Sequence, residues 1–477
     1  MGEARKRGTA EQREKLAIKR DKLRLSTALG VREDDPVRIA LKVGLKAFMD
    51  RLGEDKWKAR RAAIQDSIRN RLKTNELENA QAIRVQKDEM GWYLFLCEQD
   101  IDDPFCTDAS QSQRILPFFQ SLGSRWMHAH KVVGIDRKLD EMLHGYKNNP
   151  DGLFFELLVA LSYASNGWDV TFIEETRGKK TPDMRVTRGK QEFFVECKRL
   201  SRSTQYSEKE RNQFLRLWDN AKDILIENGQ WIWFKGTFHV PPEDLPDKFL
   251  SDLWKISLPI QRGVNTLIKN EFATIQARLI DQKSIAEHMR EFRVKLNSAM
   301  LTKVIGGDWA PENSAVTMLQ NVKVSHVAGC ELVELGMYVD EVRFACGFTR
   351  DIDSEISLDK RAKDVTKLLS EAVSQMPIDK PSIVHLAAET MEGAEVERRR
   401  SEKIKDAIPD FIYGKPVALV RFHRLQSHQR AEMSFEFDET IDNFYLKKNE
   451  DFSHVPLSVV VPPDTIIRHG THWDLYP

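Results

Sequence analysis

Residues 153–200, LFFELLVALSYASNGWDVTFIEETRGKKTPDMRVTRGKQEFFVECKRL, contain the pattern that decides the fold. The stretch 153–167 is apolar, has the length of a helix and ends in Asn-Gly, a common C-terminal stop. Runs rich in β-forming residues follow it and predict strands at 168–175, 182–188 and 191–200. Because the turn signal NNPDG stands just before this segment, we expect a domain to begin here with the order helix, strand, strand, strand.

Two acids in this segment are predicted to converge. Asp183 begins the second strand and Glu196 lies near the end of the third, so antiparallel pairing across the turn at 189–190 would bring the two carboxylates together. Magnesium prefers oxygen ligands and keeps several waters, so one Asp, one Glu and a backbone carbonyl are a sufficient set. A bound metal can polarise a phosphate and lower the pKa of an attacking water.

A lysine and a second glutamate complete the candidate site. Lys198 lies two residues after Glu196, so both side chains share one face of the strand, while Cys197 points into the apolar core. An ammonium group there can orient a water and offset developing negative charge. Glu156 stands inside an apolar stretch, where an acid is costly unless it is paired or faces a polar cleft. The alternative for Glu156 is a solvent-facing position near the helix N-terminus, where a negative charge is favoured.

These motifs together resemble the core of the PD-(D/E)XK nuclease superfamily. The Pro-Asp at 182–183 and the Glu-x-Lys at 196–198 match the two signature pieces, twelve residues apart, and the acid-bearing helix precedes them. The resemblance covers residues 153–200. It implies an α/β, restriction-endonuclease-like core, in which a mixed central sheet is flanked by helices.

The resemblance also implies a role for each candidate residue. Asp183 and Glu196 would bind Mg²⁺, with Mn²⁺ as a substitute, and Lys198 would assist the attacking water. Glu156 would be the glutamate that the first core helix contributes in many members. The implied activity is a metal-dependent nuclease, an endonuclease or other hydrolase of phosphodiester bonds in nucleic acid, with DNA preferred on family analogy alone.

Two alternatives remain open at this point. The four residues could be ordinary surface charges on a β-rich domain, since Glu-x-Lys by itself is common in a chain with 31% charged residues. The chain could also be a catalytically degenerate nuclease-fold protein that binds nucleic acid or protein without cutting. The presence of all three signature side chains favours activity over degeneration.

The rest of the chain is assigned by its position around this core. The superfamily core continues with a helix and a strand, for which 206–238 and 359–389 are both candidates; the compact helix, Pro turn and apolar strand of 359–389 favour the second. Residues 416–425 and 431–439 predict a hairpin. The expected domains are a basic helical N-terminal region at 1–147, the nuclease-like core at 148–205 and 355–426, an α+β insertion at 206–354, and a β-rich C-terminal extension at 427–477.

Composition limits the partners. Lys plus Arg and Asp plus Glu both number 73, so attraction to nucleic acid must come from local patches, such as the basic run at 55–73. That run could instead be a solvated helix face. Five scattered cysteines without a CxxC pair and a charged N-terminus predict reduced thiols and a cytoplasmic protein without a membrane segment. No nucleotide-binding motif is present, so any energy-coupled step would have to come from a helicase or ATPase partner. Such a partner and a homodimer both stay open.

Overall fold

The computed structural model describes residues 34–73, 88–174, 181–200, 205–296, 298–309, 315–389, 392–412, 414–429, 435–447, 450–462 and 465–471. The α-helices of these residues are α1 (Pro36–Leu52), α2 (Glu54–Lys73), α3 (Glu89–Asp102), α4 (Ala109–Arg125), α5 (Ile135–Asp140), α6 (Asp151–Ser165), α7 (Gln205–Asp219), α8 (Lys222–Asn228), α9 (Phe249–Ser257), α10 (Gln282–Glu291), α11 (Ala299–Gly306), α12 (Glu355–Ala362), α13 (Asp364–Gln375) and α14 (Ala394–Ile412). The strands are β1 (Val132–Val133), β2 (Asp169–Phe172), β3 (Met184–Arg188), β4 (Gln191–Arg199), β5 (Ile232–Phe238), β6 (Asn265–Lys269), β7 (Ala273–Leu279), β8 (Val294–Lys295), β9 (Ala315–His326), β10 (Met337–Ile352), β11 (Ser382–Glu389), β12 (Val417–Gln429) and β13 (Phe435–Tyr445).

The first sheet contains the segment that the sequence singled out. Its strand order is β1-β2-β3-β4-β11-β12-β13. Strands β2, β3 and β4 are antiparallel neighbours, β4, β11 and β12 run parallel, and β13 returns antiparallel to β12. The predicted helix and three strands are confirmed as α6, β2, β3 and β4, and the predicted mixed α/β architecture is confirmed as well.

Helices cover both faces of this sheet. On one face, α6 buries Phe155 and Leu158 in the same apolar cluster as Val195 of β4. On the other face, α13 and α14 contribute Leu369 and Ile404 to a cluster with Leu386 of β11. Strand β11 is buried on both faces, as expected for a central parallel strand.

The continuation of the sheet comes from the later of the two candidate segments. Val384 of β11 pairs with Glu196 of β4, whereas β5, from the earlier candidate segment, lies in a different sheet. The expected single helix at 359–376 is wrong in detail, because the structure has two helices, α12 and α13, with Lys363 between them.

The boundary expected at residue 147 does not divide the core. Helices α1, α3 and α4 bury Phe48, Leu96 and Phe119 in the same cluster as α6 and the first sheet. The charged residues of this region lie on the outer faces of the helices, and the inner faces are apolar. The charge therefore predicted a separate unit, whereas the apolar faces pack into the shared core. The basic stretch at the very start of the chain, residues 1–33, lies outside the described residues.

The boundary expected at residue 426 lies between residues that the structure places in one sheet. It falls inside β12, and β13 pairs with β12 along its length, so the predicted hairpin is confirmed but belongs to the first sheet. The chain after β13 packs back on the same core. Trp168 Nε1 donates to the carbonyl of His454 at 2.8 Å, and Ser121 Oγ donates to that of Val459 at 2.8 Å.

Residues between β4 and α12 build the second sheet. Its order is β6-β7-β5-β10-β8, and β9 pairs antiparallel with β10. Helices α7 to α9 cover one face, where Phe234 lies, and α10 and α11 cover the other, where Trp233 lies. The expected α+β character of 206–354 is therefore present in the described residues.

Two of the five cysteines are joined to each other. The expectation that all thiols are reduced is wrong, because Cys106 and Cys330 form a disulfide between residues 224 positions apart. This pairing joins the N-terminal helices to the second sheet region and has no signature in local sequence.

Within the residues that the structure describes, no helix combines the length and hydropathy needed to cross a bilayer.

Candidate active site

The pairing of β3 with β4 brings the two predicted metal ligands together. Met184 pairs with Val195, so Asp183, directly before β3, stands opposite Glu196. Opposite residues of an antiparallel pair share one face of the sheet. The backbone N–H of Cys197 donates to Asp183 Oδ2 at 2.7 Å, and the N–H of Asp183 donates to Glu196 Oε2 at 3.2 Å. Each carboxylate is therefore held by the backbone of the opposite strand.

Lys198 joins this pair, as strand periodicity predicts. Its ammonium group forms an ion pair with Glu196 Oε1. Glu196 is completely buried, while 24% of the Lys198 side chain is exposed, so the lysine lies between the acid and solvent. Cys197 is 4% exposed and points into the opposite apolar cluster, which confirms the predicted alternation.

Glu156 projects from α6 into the same region. Its side chain is only 13% exposed and accepts a 2.7 Å hydrogen bond from Lys138 Nζ. The alternative of a solvent-facing helix position is therefore wrong, since this acid is buried and paired.

Sequence inspection missed two residues that contact these acids. Lys138 lies on the short helix α5 and also stands 5.0 Å from the ring centroid of Phe172. Gln375, the last residue of α13, donates through Nε2 to Glu196 Oε1. Nothing in the local sequence marks either one, because a single Lys on a charged helix and a Gln at a helix end are common. Only the packing of α5 and α13 against the sheet brings them in.

The electrostatics of the site reflect three acids in a confined space. Burial, together with repulsion from Glu196, raises the pKa of Asp183 to about 7. Burial and repulsion from Asp183 raise the pKa of Glu156 to about 7, although Lys138 acts against the shift. Burial raises the pKa of Glu196 to about 7 against the opposing effect of Lys198. Two lysines therefore do not fully compensate three carboxylates, and an added cation would be favoured here.

The donor set fits a small hard cation held by two acids. Among the described residues, only Asp103, Cys106 and Cys330 bring three possible metal-ligand atoms of His, Cys, Asp or Glu within 4.8 Å of one another. The sulfurs of the two cysteines in that group are joined to each other in the disulfide. Glu156 therefore does not form a tight triad with Asp183 and Glu196. Two carboxylates are nevertheless a sufficient set of protein ligands for Mg²⁺, and Asp183 Oδ1 has no bonded partner in the described part of the chain.

Other charged groups that the sequence raised as candidates serve structural contacts. Arg60 of the basic run on α2 pairs with Asp88, and Arg61 pairs with Glu98 and Glu331. These two arginines are thus engaged by acids of the protein itself.

The histidine that could have suggested a metal ligand near the hairpin is also engaged. His423 is buried, bonds His385 at 2.9 Å and contacts Glu439 Oε1 at 2.7 Å. This arrangement agrees with a structural role for His423.

Comparison of the chain with family models, with curated proteins and with solved structures gave no match. The resemblance to the PD-(D/E)XK superfamily therefore depends on the residues and geometry of the chain itself.

Proposed function

We propose that this chain is a Mg²⁺-dependent nuclease that hydrolyses phosphodiester bonds in nucleic acid, with DNA as the expected substrate. The observation that carries the proposal is the placement of Asp183 opposite Glu196 on one face of the sheet, with Lys198 bonded to Glu196. The sequence of elements α6-β2-β3-β4, continued by α13 and the parallel strand β11, supports assignment to a restriction-endonuclease-like core.

Each residue has a definite task in this proposal. Asp183 and Glu196 would hold the Mg²⁺, which supplies positive charge to the phosphate and acidifies a bound water. Lys198, partly exposed beside Glu196, orients the attacking water and offsets the charge that develops on the phosphate oxygens. Gln375 fixes the orientation of the Glu196 carboxylate by its hydrogen bond. Lys138 holds Glu156 in place at the edge of the site.

The test is cleavage by purified protein of plasmid DNA, linear duplex, single-stranded DNA and RNA, each with Mg²⁺ or Mn²⁺ and with EDTA. We expect the wild type to cut at least one of these in a metal-dependent way, and Asp183→Ala and Lys198→Ala to lose cleavage. Lys190→Ala is the matched control, because Lys190 is exposed in the turn between β3 and β4 and lies outside the site.

Two outcomes would contradict the proposal. Equal cleavage by wild type and both site variants would assign the activity to a contaminant. Metal-independent binding of nucleic acid without cleavage, unchanged in Asp183→Ala, would instead favour the degenerate, binding-only alternative.

A further inference from the structure

An arginine cluster lies where the second sheet meets α12. Its members come from three elements that are distant in sequence: Arg211 on α7, Arg350 on β10 and Arg361 on α12. Phe214, one helical turn after Arg211, lies with its ring centroid 4.1 Å from the Arg350 guanidinium carbon. Glu210, next to Arg211, accepts a 2.7 Å hydrogen bond from Arg361 Nε. The same side of α7 therefore gathers all three guanidinium groups.

Among the described residues, acids balance the charges of this cluster only in part. Glu210 accepts a hydrogen bond from Arg361. Within the described residues, it is the one carboxylate whose charge acts to raise the pKa of Arg350. Burial, reinforced by repulsion from Arg211 and Arg361, lowers the pKa of Arg350 to about 9. Three guanidinium groups against one carboxylate leave a formal charge of +2. A charge imbalance of this kind in a partly buried position is unfavourable unless an anion offsets it.

The guanidinium groups also keep donors for a ligand. Arg350 uses one N–H to bond Thr317 Oγ1 at 2.9 Å, and its Nε and Nη2 groups have no hydrogen-bond partner among the described residues. Arg211 is exposed, and in the same part of the chain it has neither an ion pair nor a hydrogen bond. The planar fork of arginine suits phosphate oxygens in particular.

The cluster lies on the side of the first sheet where β4 and β11 end. Ser207, in the first turn of α7, donates to Glu392, which follows the end of β11 by three residues. The seven residue-to-residue steps from Lys198 to Gln205 span at most about 25 Å, and α7 rises roughly 9 Å from there to Arg211. A nucleic acid bound at Lys198 would therefore reach the cluster within about ten base pairs, at roughly 3.4 Å per pair.

We propose that Arg211, Arg350 and Arg361 form a phosphate-binding site that holds the nucleic-acid backbone beside the catalytic centre. The nature of the ligand rests on the proposed nuclease function, whereas the anion preference rests on the cluster itself. Phosphate contacts of this type fix the position of the nucleic acid without reading its sequence.

The test is the salt dependence of binding, measured by fluorescence anisotropy of labelled duplex and single-stranded DNA in EDTA, so that no cleavage occurs. Loss of one phosphate contact lowers the slope of log affinity against log salt by about 0.9 for duplex DNA. We expect this reduction in Arg211→Gln and again in Arg350→Gln, and about twice the reduction in the double variant. Arg350→Lys keeps the charge and should retain most of the slope.

Controls separate a local contact from a general charge effect and from misfolding. Arg216→Gln removes the same charge from the same helix, but Arg216 is already paired with Asp247, so its slope should equal that of the wild type. Arg211 is exposed, so Arg211→Gln should melt at the wild-type temperature even if Arg350→Gln does not fold.

The outcomes distinguish this inference from the proposed function. Equal slopes for wild type, Arg211→Gln and Arg216→Gln would overturn the phosphate site, whatever the cleavage assay shows. A reduced slope in Arg211→Gln combined with a wild type that cuts no substrate would support the phosphate site and overturn the nuclease proposal.

Discussion

Two clusters of buried charge lie side by side at the end of β4, and they are built differently. Lys198 and Glu196 belong to the candidate active site, whereas the next residue, Arg199, points to the other face and pairs with Glu389. The second cluster also contains Arg114, which contacts Glu389 at 2.6 Å and pairs with Asp151. We call these the active-site cluster and the arginine-acid cluster.

The difference between the clusters lies in charge balance. In the arginine-acid cluster, two arginines face two acids. Burial acts to raise the pKa of Glu389, but the charges of Arg114 and Arg199 outweigh burial and hold this pKa below its usual value. In the active-site cluster three carboxyls face two lysines, and burial raises the pKa of each of these carboxyls to about 7. Balanced buried charge serves the fold, while unbalanced buried charge is suited to binding an ion.

The largest effect is expected from breaking the balanced cluster. Glu389→Ala leaves Arg114 and Arg199 buried without their main counter-charge, which should lower the free energy of unfolding by about 3 to 5 kcal/mol. Urea unfolding measures this loss. Glu371→Ala is the control, because Glu371 forms only an exposed pair with Lys367 and should cost under about 1 kcal/mol. Similar small losses in both variants would show that the arginine-acid cluster is not structural.

Lys198→Ala should affect turnover and spare metal binding. We expect kcat to fall about 10²- to 10³-fold, as for loss of one group that stabilises transition-state charge. The Kd for Mn²⁺, measured by calorimetry, should stay within a few-fold of the wild type, because Asp183 and Glu196 remain. A loss of Mn²⁺ affinity that accounts for the whole loss of rate would contradict the role assigned to Lys198.

Metal should stabilise the protein through the unbalanced cluster alone. At about 100 times its Kd, Mg²⁺ should raise the free energy of unfolding of the wild type by roughly 2.7 kcal/mol. In Asp183→Asn this gain should nearly vanish, whereas Lys190→Ala should retain it. Thermal melts with Mg²⁺ and with EDTA make the comparison. A full Mg²⁺ effect in Asp183→Asn would place the metal elsewhere.

The smallest effect concerns pH in the absence of metal. Because the pKa of Asp183 is raised from 3.8 to about 7, the folded protein binds more protons than the unfolded chain between these values, so this acid lowers stability as pH rises through that window. Asp183→Asn removes the ionisation. In EDTA it should be more stable than the wild type at pH 8, by on the order of 1 to 2 kcal/mol, with the gap closing toward pH 4. Unfolding curves at both pH values test this, and a variant less stable than wild type at pH 8 would contradict it.

The sequence alone determined the elements and the alternation that create the candidate site. The helix and three strands of 153–200 follow from apolar length, β-forming residues and turn signals, all of which act between near neighbours. The period of two along β4 placed Glu196 and Lys198 on one face and Cys197 on the other without reference to any other part of the chain.

Tertiary structure decided which distant residues meet these elements. Lys138, Gln375 and the third arginine of the phosphate site, Arg361, come from helices whose local patterns carry no sign of their partners. Tertiary structure also joins residues on both sides of the expected boundaries at 147 and 426, since shared burial and β12–β13 pairing leave no periodic trace in sequence. Contacts between residues far apart in the chain depend on how whole helices and sheets pack, so only the folded structure brings these groups together.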